Sequence, residues 1–129
     1  MVKGPVTYLS DGEQTVRMAH GTPALAKAGT GDVLAGMTAA LLAQGLDPFE
    51  ASVLGAELHA RAGLAAAARW STIAATAEDV VACIPDAIAE LVSASSYGTI
   101  DASPDGEAYH RERSPAPPAD PLSSRPSVP

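Results

Sequence analysis

The stretch Ala28-Gly29-Thr30-Gly31-Asp32-Val33-Leu34-Ala35-Gly36 sets a glycine-rich turn directly against an apolar run, with a single carboxylate at the junction. Small residues in succession let backbone N–H groups converge on an oxyanion, and the start of a helix adds partial positive charge at the same place. An anion site with a carboxylate beside it suits phosphoryl transfer. A phosphate would repel Asp32, so the carboxylate makes sense there if it acts on the attacking hydroxyl rather than on the anion. The same letters also fit a plain helix start, in which Thr30 or Asp32 caps the helix, the glycines make the turn and nothing binds.

Downstream of the turn, Val33, Leu34, Met37 and Leu41 recur at three- and four-residue steps, which predicts a helix over 32–43. Gly36 is expected to let a neighbour approach closely, and Gly45 to end the helix. Asp47-Pro48 reads as a cap followed by proline at the first helical position of a second helix reaching about residue 69, with Ala51, Leu54, Leu58, Ala62 and Ala65 on one face. Thr76 with Asp79 resembles a capping box, after which Val80, Ile84, Ile88 and Leu91 continue an apolar stripe. Pro85 predicts a kink or break at Ile84. Upstream, residues 6–9 and 14–18 are short and β-prone around Ser10-Asp11-Gly12, which predicts a hairpin, and 20–31 reads as a loop wrapping toward the anion site.

The formal net charge of −7 and the 4% aromatic content argue against nucleic acid as a partner, because phosphate contacts need a basic face and base stacking needs rings. Local backbone dipoles and one or two lysines still suffice for a nucleotide. Cys83 is the single cysteine, so no intrachain disulfide forms, and its neighbours Val81, Ala82 and Ile84 favour a small buried apolar residue over a nucleophile. No leader-like segment and no apolar run near membrane-spanning length is visible, so a cytoplasmic chain with no membrane partner is expected. Seven of the eleven prolines fall between Pro104 and Pro129 among serine, aspartate and arginine, and this composition predicts a disordered tail over 98–129. No grouping of His, Cys and Asp has the spacing of a metal site, so no protein-held metal is expected.

A wider set of residues carries a family resemblance. Lys3-Gly4-Pro5-Val6-Thr7, Asp11-Gly12, the block from Gly21 through Gly36, Leu41-Leu42-Ala43-Gln44-Gly45-Leu46-Asp47-Pro48, Ala56-Glu57-Leu58-His59-Ala60-Arg61-Ala62-Gly63 and the stretch from Ala77 to Pro85 resemble, in order and spacing, the ADP-dependent NAD(P)H-hydrate dehydratases of the ribokinase-like superfamily. The resemblance covers roughly the first three quarters of the chain. It implies an α/β protein, with 1–97 the C-terminal part of a ribokinase-like α/β/α domain that includes the hairpin. It also implies that Met1 stands near the end of a central strand of a longer domain, whose other half would bring most of the substrate pocket.

For chemistry, the resemblance implies that Asp32 is the catalytic aspartate and that Gly29, Thr30 and Gly31 form the hole that receives the transferred phosphoryl group. Lys3, Gly4, Pro5, Val6 and Thr7 match the nucleotide-binding segment, and the 22–31 loop its phosphate-side wall. The implied cofactor is ADP, or ATP as in eukaryotic relatives, with Mg²⁺ arriving on the nucleotide. The implied substrates are the S epimers of NADHX and NADPHX, phosphorylated at the C6 hydroxyl before phosphate leaves and NAD(P)H is restored, in a family expected to form homo-oligomers. Lys27, four positions before Gly31, could also reach phosphate but more readily reads as a solvated loop residue; His20 reads as a loop residue and His59 as a packed or rim residue, although the family also carries histidine there. Two other readings stay open: another ribokinase-like small-molecule kinase acting on a thiamine precursor or vitamin B6, and a non-catalytic remnant kept as a binding module. On the expectation that half a domain is absent, the isolated chain should be inactive and prone to self-association.

Overall fold

The computed structural model describes residues 1–96 and 109–113. Strands β1 (Thr7–Ser10) and β2 (Gln14–Met18) form the expected antiparallel hairpin, with Leu9 opposite Val16 and Thr7 opposite Met18. The turn between them is held by Asp11, whose Oδ1 accepts from the backbone N–H groups of Glu13 and Gln14 at 2.9 Å. Those bonds, that of Gln14 first, hold the Asp11 carboxyl below its usual pKa. Alternation along the strands puts Leu9, Val16 and Met18 on one buried face and leaves Tyr8 exposed on the other.

Before the hairpin, the chain folds back on β1: Val2 and Tyr8 exchange two backbone hydrogen bonds of 2.7 and 2.9 Å. The 3–7 segment is thereby pinched into a loop rather than extended as a long strand. After β2 comes a single 3-10 turn (Pro23–Leu25), capped by the Thr22 hydroxyl, within the region expected to be loop.

Helix α1 (Thr30–Ala43) and helix α2 (Pro48–Ala74) pack on the apolar face of the hairpin. Asp47 caps α2 through the Phe49 and Glu50 N–H groups, with Pro48 at the first helical position as expected. Ser71 breaks the helical path with φ 74° and ψ 161°, close to the expected end near residue 69. Helix α3 (Ala77–Ala82) opens on the predicted Thr76/Asp79 capping box and gives way at Cys83 to α4 (Ile84–Ser96), so the chain breaks one residue ahead of Ile84. Arg61 ties α2 to α4 by an ion pair with Glu90 at 2.7 Å, while also holding Glu57 at 2.6 Å.

Two apolar clusters share α2 between them. One joins Leu9, Val16 and Met18 of the hairpin to Leu34 and Ala56. The other is built largely of alanines, Ala24, Ala62, Ala66, Ala75 and Ala87, around Leu58, Val80 and Cys83. Burial raises the Cys83 thiol pKa, as its apolar neighbours predicted for a structural cysteine.

Two expectations need correction. Gly36 admits no close neighbour: a Cβ built there meets nothing within 4 Å, and the close approaches occur at Gly55 and Gly63 instead. Ile88 is 44% exposed, and Ala87 takes its place in the core, because at about 100° per residue Ala87 falls on the face shared by Val80, Ile84 and Leu91 whereas Ile88 falls to its side. The described residues form an α/β arrangement, with helices on the apolar face of the hairpin, consistent with part of the expected domain. With a single apolar face, the hairpin can bury only one side.

A third strand, β3 (Tyr109–Arg113), lies within the tail expected to be disordered and pairs antiparallel with β2, Val16 opposite Arg111. The free edge of β2 offers backbone donors and acceptors to any extended segment, whatever its side chains bury. The remainder of 98–129 lies outside the described residues. Among the described residues, no helix is long and apolar enough to cross a membrane.

Candidate functional site

The pinched 3–7 loop, the 20–26 loop and the middle of α2 enclose a cavity of about 480 Å³. Lys3, Gly4, Pro5 and Thr7 line it together with His20, Thr22, Met18, Leu34 and His59, and most of the remaining wall is apolar. Val6, expected with its neighbours, is not in the wall. The two loops meet because Gly21 has no side chain: a Cβ there would collide with the Pro5 carbonyl. Thr7 lies on the cavity side for the same reason that Leu9 is buried, since alternate strand residues share a face.

The glycine turn does not line this cavity. It is built at the head of α1, where Gly29 takes the left-handed conformation at φ 86° and serves as the N-cap, with no side-chain cap bond. The plain helix-start reading is corrected on this point, since neither Thr30 nor Asp32 caps the helix. Gly29 O closes the first turn by accepting from Asp32 and Val33, each at 3.1 Å. Gly31 is exposed, and a Cβ there would meet no atom. Its N–H has no partner among the described residues, the state expected of a first-turn donor left for an anion or solvent. Asp32 is exposed in that turn, and no hydrogen bond or ion pair engages its carboxylate among the described residues.

Thr30, expected in the anion hole with its glycine neighbours, has a buried side chain that points away from the exposed face of the turn. It is 2% exposed, and its hydroxyl turns inward as a donor shared between the carbonyls of Leu25, at 2.7 Å, and Lys27, at 2.9 Å. The reason is local: the left-handed Gly29 turns the chain so that the hydroxyl meets those two carbonyls, of which that of Lys27 also accepts from the Thr30 N–H at 3.4 Å. Thr30 therefore shapes the hole, and any contribution it makes to an anion must come from the backbone. Lys27 is likewise spent elsewhere, its ammonium donating to the Ile73 carbonyl at the end of α2.

Sequence reasoning reads His59 as a packed or rim residue and His20 as a loop residue, and the structure adds their place in the cavity wall. His59 is 2% exposed and its Nε2 lies 2.8 Å from the Thr30 carbonyl, so the ring that lines the cavity also touches the turn. A carbonyl only accepts, which makes Nε2 the protonated nitrogen. Burial pushes the His59 pKa down, the Lys3 charge pushes the same way, and the bond to Thr30 opposes them. The ring is thus held neutral. The available signal was a polar residue in the middle of an alanine-rich helical face, a position that demands a partner. Among the described residues, no three His, Cys, Asp or Glu side chains gather as metal ligands.

Residues 1–86 match a protein family described as NAD(P)H-hydrate dehydratase. The chain is similar to the bifunctional NAD(P)H-hydrate repair enzyme Nnr of Hyperthermus butylicus, 40% identical over 96 residues that cover 74% of this chain and 18% of that enzyme. Similarity extends to the ADP-dependent (S)-NAD(P)H-hydrate dehydratases of Natrialba magadii, 47% identical over 53% of this chain and 26% of theirs, and Cenarchaeum symbiosum, 41% identical over 51% and 23%. The chain thus matches about a quarter or less of the length of these curated relatives. No solved structure matches it.

Proposed function

The chain belongs to the NAD(P)H-hydrate dehydratase family, and from that premise we propose that it serves the ADP-dependent dehydration of the S epimers of NADHX and NADPHX back to NADH and NADPH. The observation that carries the proposal is the convergence of Lys3, Gly4, Pro5 and Thr7 on one cavity whose His59 wall is bonded to the glycine turn. At about 480 Å³ with an apolar lining and a few polar groups, the cavity suits part of a nucleotide.

In this reading Lys3 and the Thr7 hydroxyl hold phosphate oxygens, while the exposed Gly31 N–H and the α1 dipole stabilise charge on the group in transfer. ADP, when bound with Mg²⁺, supplies the phosphoryl group that makes the C6 oxygen a leaving group. Asp32 takes the proton of that hydroxyl onto its free carboxylate, a role for which its exposure in the first turn of α1 leaves it available. The ribokinase-like fold, the homo-oligomer and the use of Mg²⁺ belong to the same proposal.

Calorimetric titration with ADP and an assay following reduced nicotinamide recovered from its hydrate test the reading together. In the context of the longer domain that the family implies, Asp32→Asn should cut turnover by about two orders of magnitude or more while leaving ADP affinity within about twofold. Absence of ADP binding, or unchanged turnover in the variant, would overturn it.

A further inference from the structure

We propose that His59 is a positioning residue that clamps the glycine turn at the head of α1 to the wall of the cavity. The identity of the ligands rests on the nucleotide reading above, whereas the clamp itself does not.

The bond from His59 Nε2 to the Thr30 carbonyl, 2.8 Å long and joining residues 29 apart, is the one hydrogen bond among the described residues that reaches the 29–32 turn from α2. Other bonds to that turn come from its own neighbourhood, including the Thr30 hydroxyl bonds to Leu25 and Lys27. Those fix the turn's internal shape and leave its place against α2 to packing and to His59. A carbonyl oxygen has two lone pairs, so the imidazole bond adds to the carbonyl's place in the α1 ladder rather than competing with it. Because the ring is 2% exposed and also lines the cavity, it cannot shift without moving both. Whatever fills the cavity is therefore held in a fixed relation to the Gly31 N–H and Asp32.

Nitrogen-15 resonances of the His59 ring report the clamp directly in the unaltered, nucleotide-free chain. A single neutral tautomer protonated at Nε2 is expected; one protonated at Nδ1, or an average of the two, would overturn the proposal. His59→Leu should raise amide hydrogen exchange at Asp32 and Val33 about tenfold relative to the middle of α1, the size expected for one lost buried hydrogen bond, and weaken ADP binding about as much. His59→Gln, which returns an N–H donor at similar reach, should bring both back to within about threefold. Wild-type exchange in His59→Leu, or loss in both variants alike, would mean that the ring merely fills space and would overturn the clamp. Should the wild-type chain fail to bind ADP, the nucleotide reading falls, and the tautomer and exchange measurements still decide the clamp.

Discussion

The middle of α2 and the first turn of α1 are both rich in small residues, for opposite physical reasons. At Gly55 and Gly63 a missing Cβ is what lets another part of the chain in: an added carbon would stand 2.7 Å from the Thr38 hydroxyl at one and 2.6 Å from the Leu25 side chain at the other. At Gly31 and Gly36 an added carbon meets nothing within 4 Å. In α2 the small residues are filled space. At Gly31 and Gly36 they leave open space, where a ligand can come, although at Gly29 a Cβ would stand 3.0 Å from that of Ala77. A run of alanine and glycine thus reports close backbone approach without saying whether the thing approaching is the protein itself.

The contrast is easiest to break at Gly63. Gly63→Ala forces a carbon against both Leu25 Cγ and its methyls, and because Leu25 belongs to the short turn that shapes the cavity, it cannot simply swing away. Overpacking of this kind costs about 2 kcal/mol, and the melting temperature should fall by several degrees. A variant as stable as the wild type would place Gly63 with the open glycines.

His59 sharpens the comparison through pH, since it sits where the packed and open regions meet. Its folded pKa lies below the ordinary 6.5, so the unfolded chain takes up the proton first as the solution is acidified. The stabilisation from keeping the ring neutral is complete above pH 6.5 and is lost as the pH falls from there toward the folded value. Lys3 adds to the depression, the Thr30 carbonyl works against it, and His20 lines the same cavity. Thermal unfolding from neutral pH down to about pH 5 should show this loss, and His59→Gln should flatten that part of the profile. An unchanged profile in the variant would assign the acid sensitivity elsewhere.

Much of this architecture was legible in the sequence because it depends on local rules. Asp47-Pro48, the Thr76/Asp79 box and Asp11-Gly12 each specify a backbone event by their own side chains, and each occurs where expected. The 3–7 residues converge on a cavity, although Val6 stays out of the wall. What could not be read depends on partners distant in sequence. Thr30 is a local exception: once Gly29 has turned the chain, its hydroxyl bonds the Leu25 and Lys27 carbonyls only five and three residues back. His59 is packed as expected, but its bond to Thr30 could not be read because that partner lies on another helix. The pairing of β3 with β2 is a long-range backbone register that composition does not report.

Gly31→Ala separates folding from binding on the open side. With nothing for the methyl to strike, the chain should fold at least as well as the wild type, since alanine costs less entropy to order in a helix than glycine does. The same methyl stands where an oxyanion would approach the first-turn N–H groups, so ADP affinity should fall about tenfold, the equivalent of one charge-assisted hydrogen bond. Wild-type affinity in this variant would remove the turn from the nucleotide site.

Gly36→Ala is the smallest test and isolates the packing half of the comparison from any ligand. Its sequence context, between Leu34 and Met37 on an apolar helix, suggests a contact glycine like Gly55, yet the residue is exposed and its Cβ position is empty. If space alone decides, the substitution gives up nothing in the folded state and restricts the unfolded chain, so stability should rise by about 0.5–1 kcal/mol. The same change at Gly63 should have the opposite sign. Chemical denaturation of the two variants side by side checks this, and a loss of stability in Gly36→Ala would mean that the face of α1 carrying Gly36 is covered in the folded protein after all.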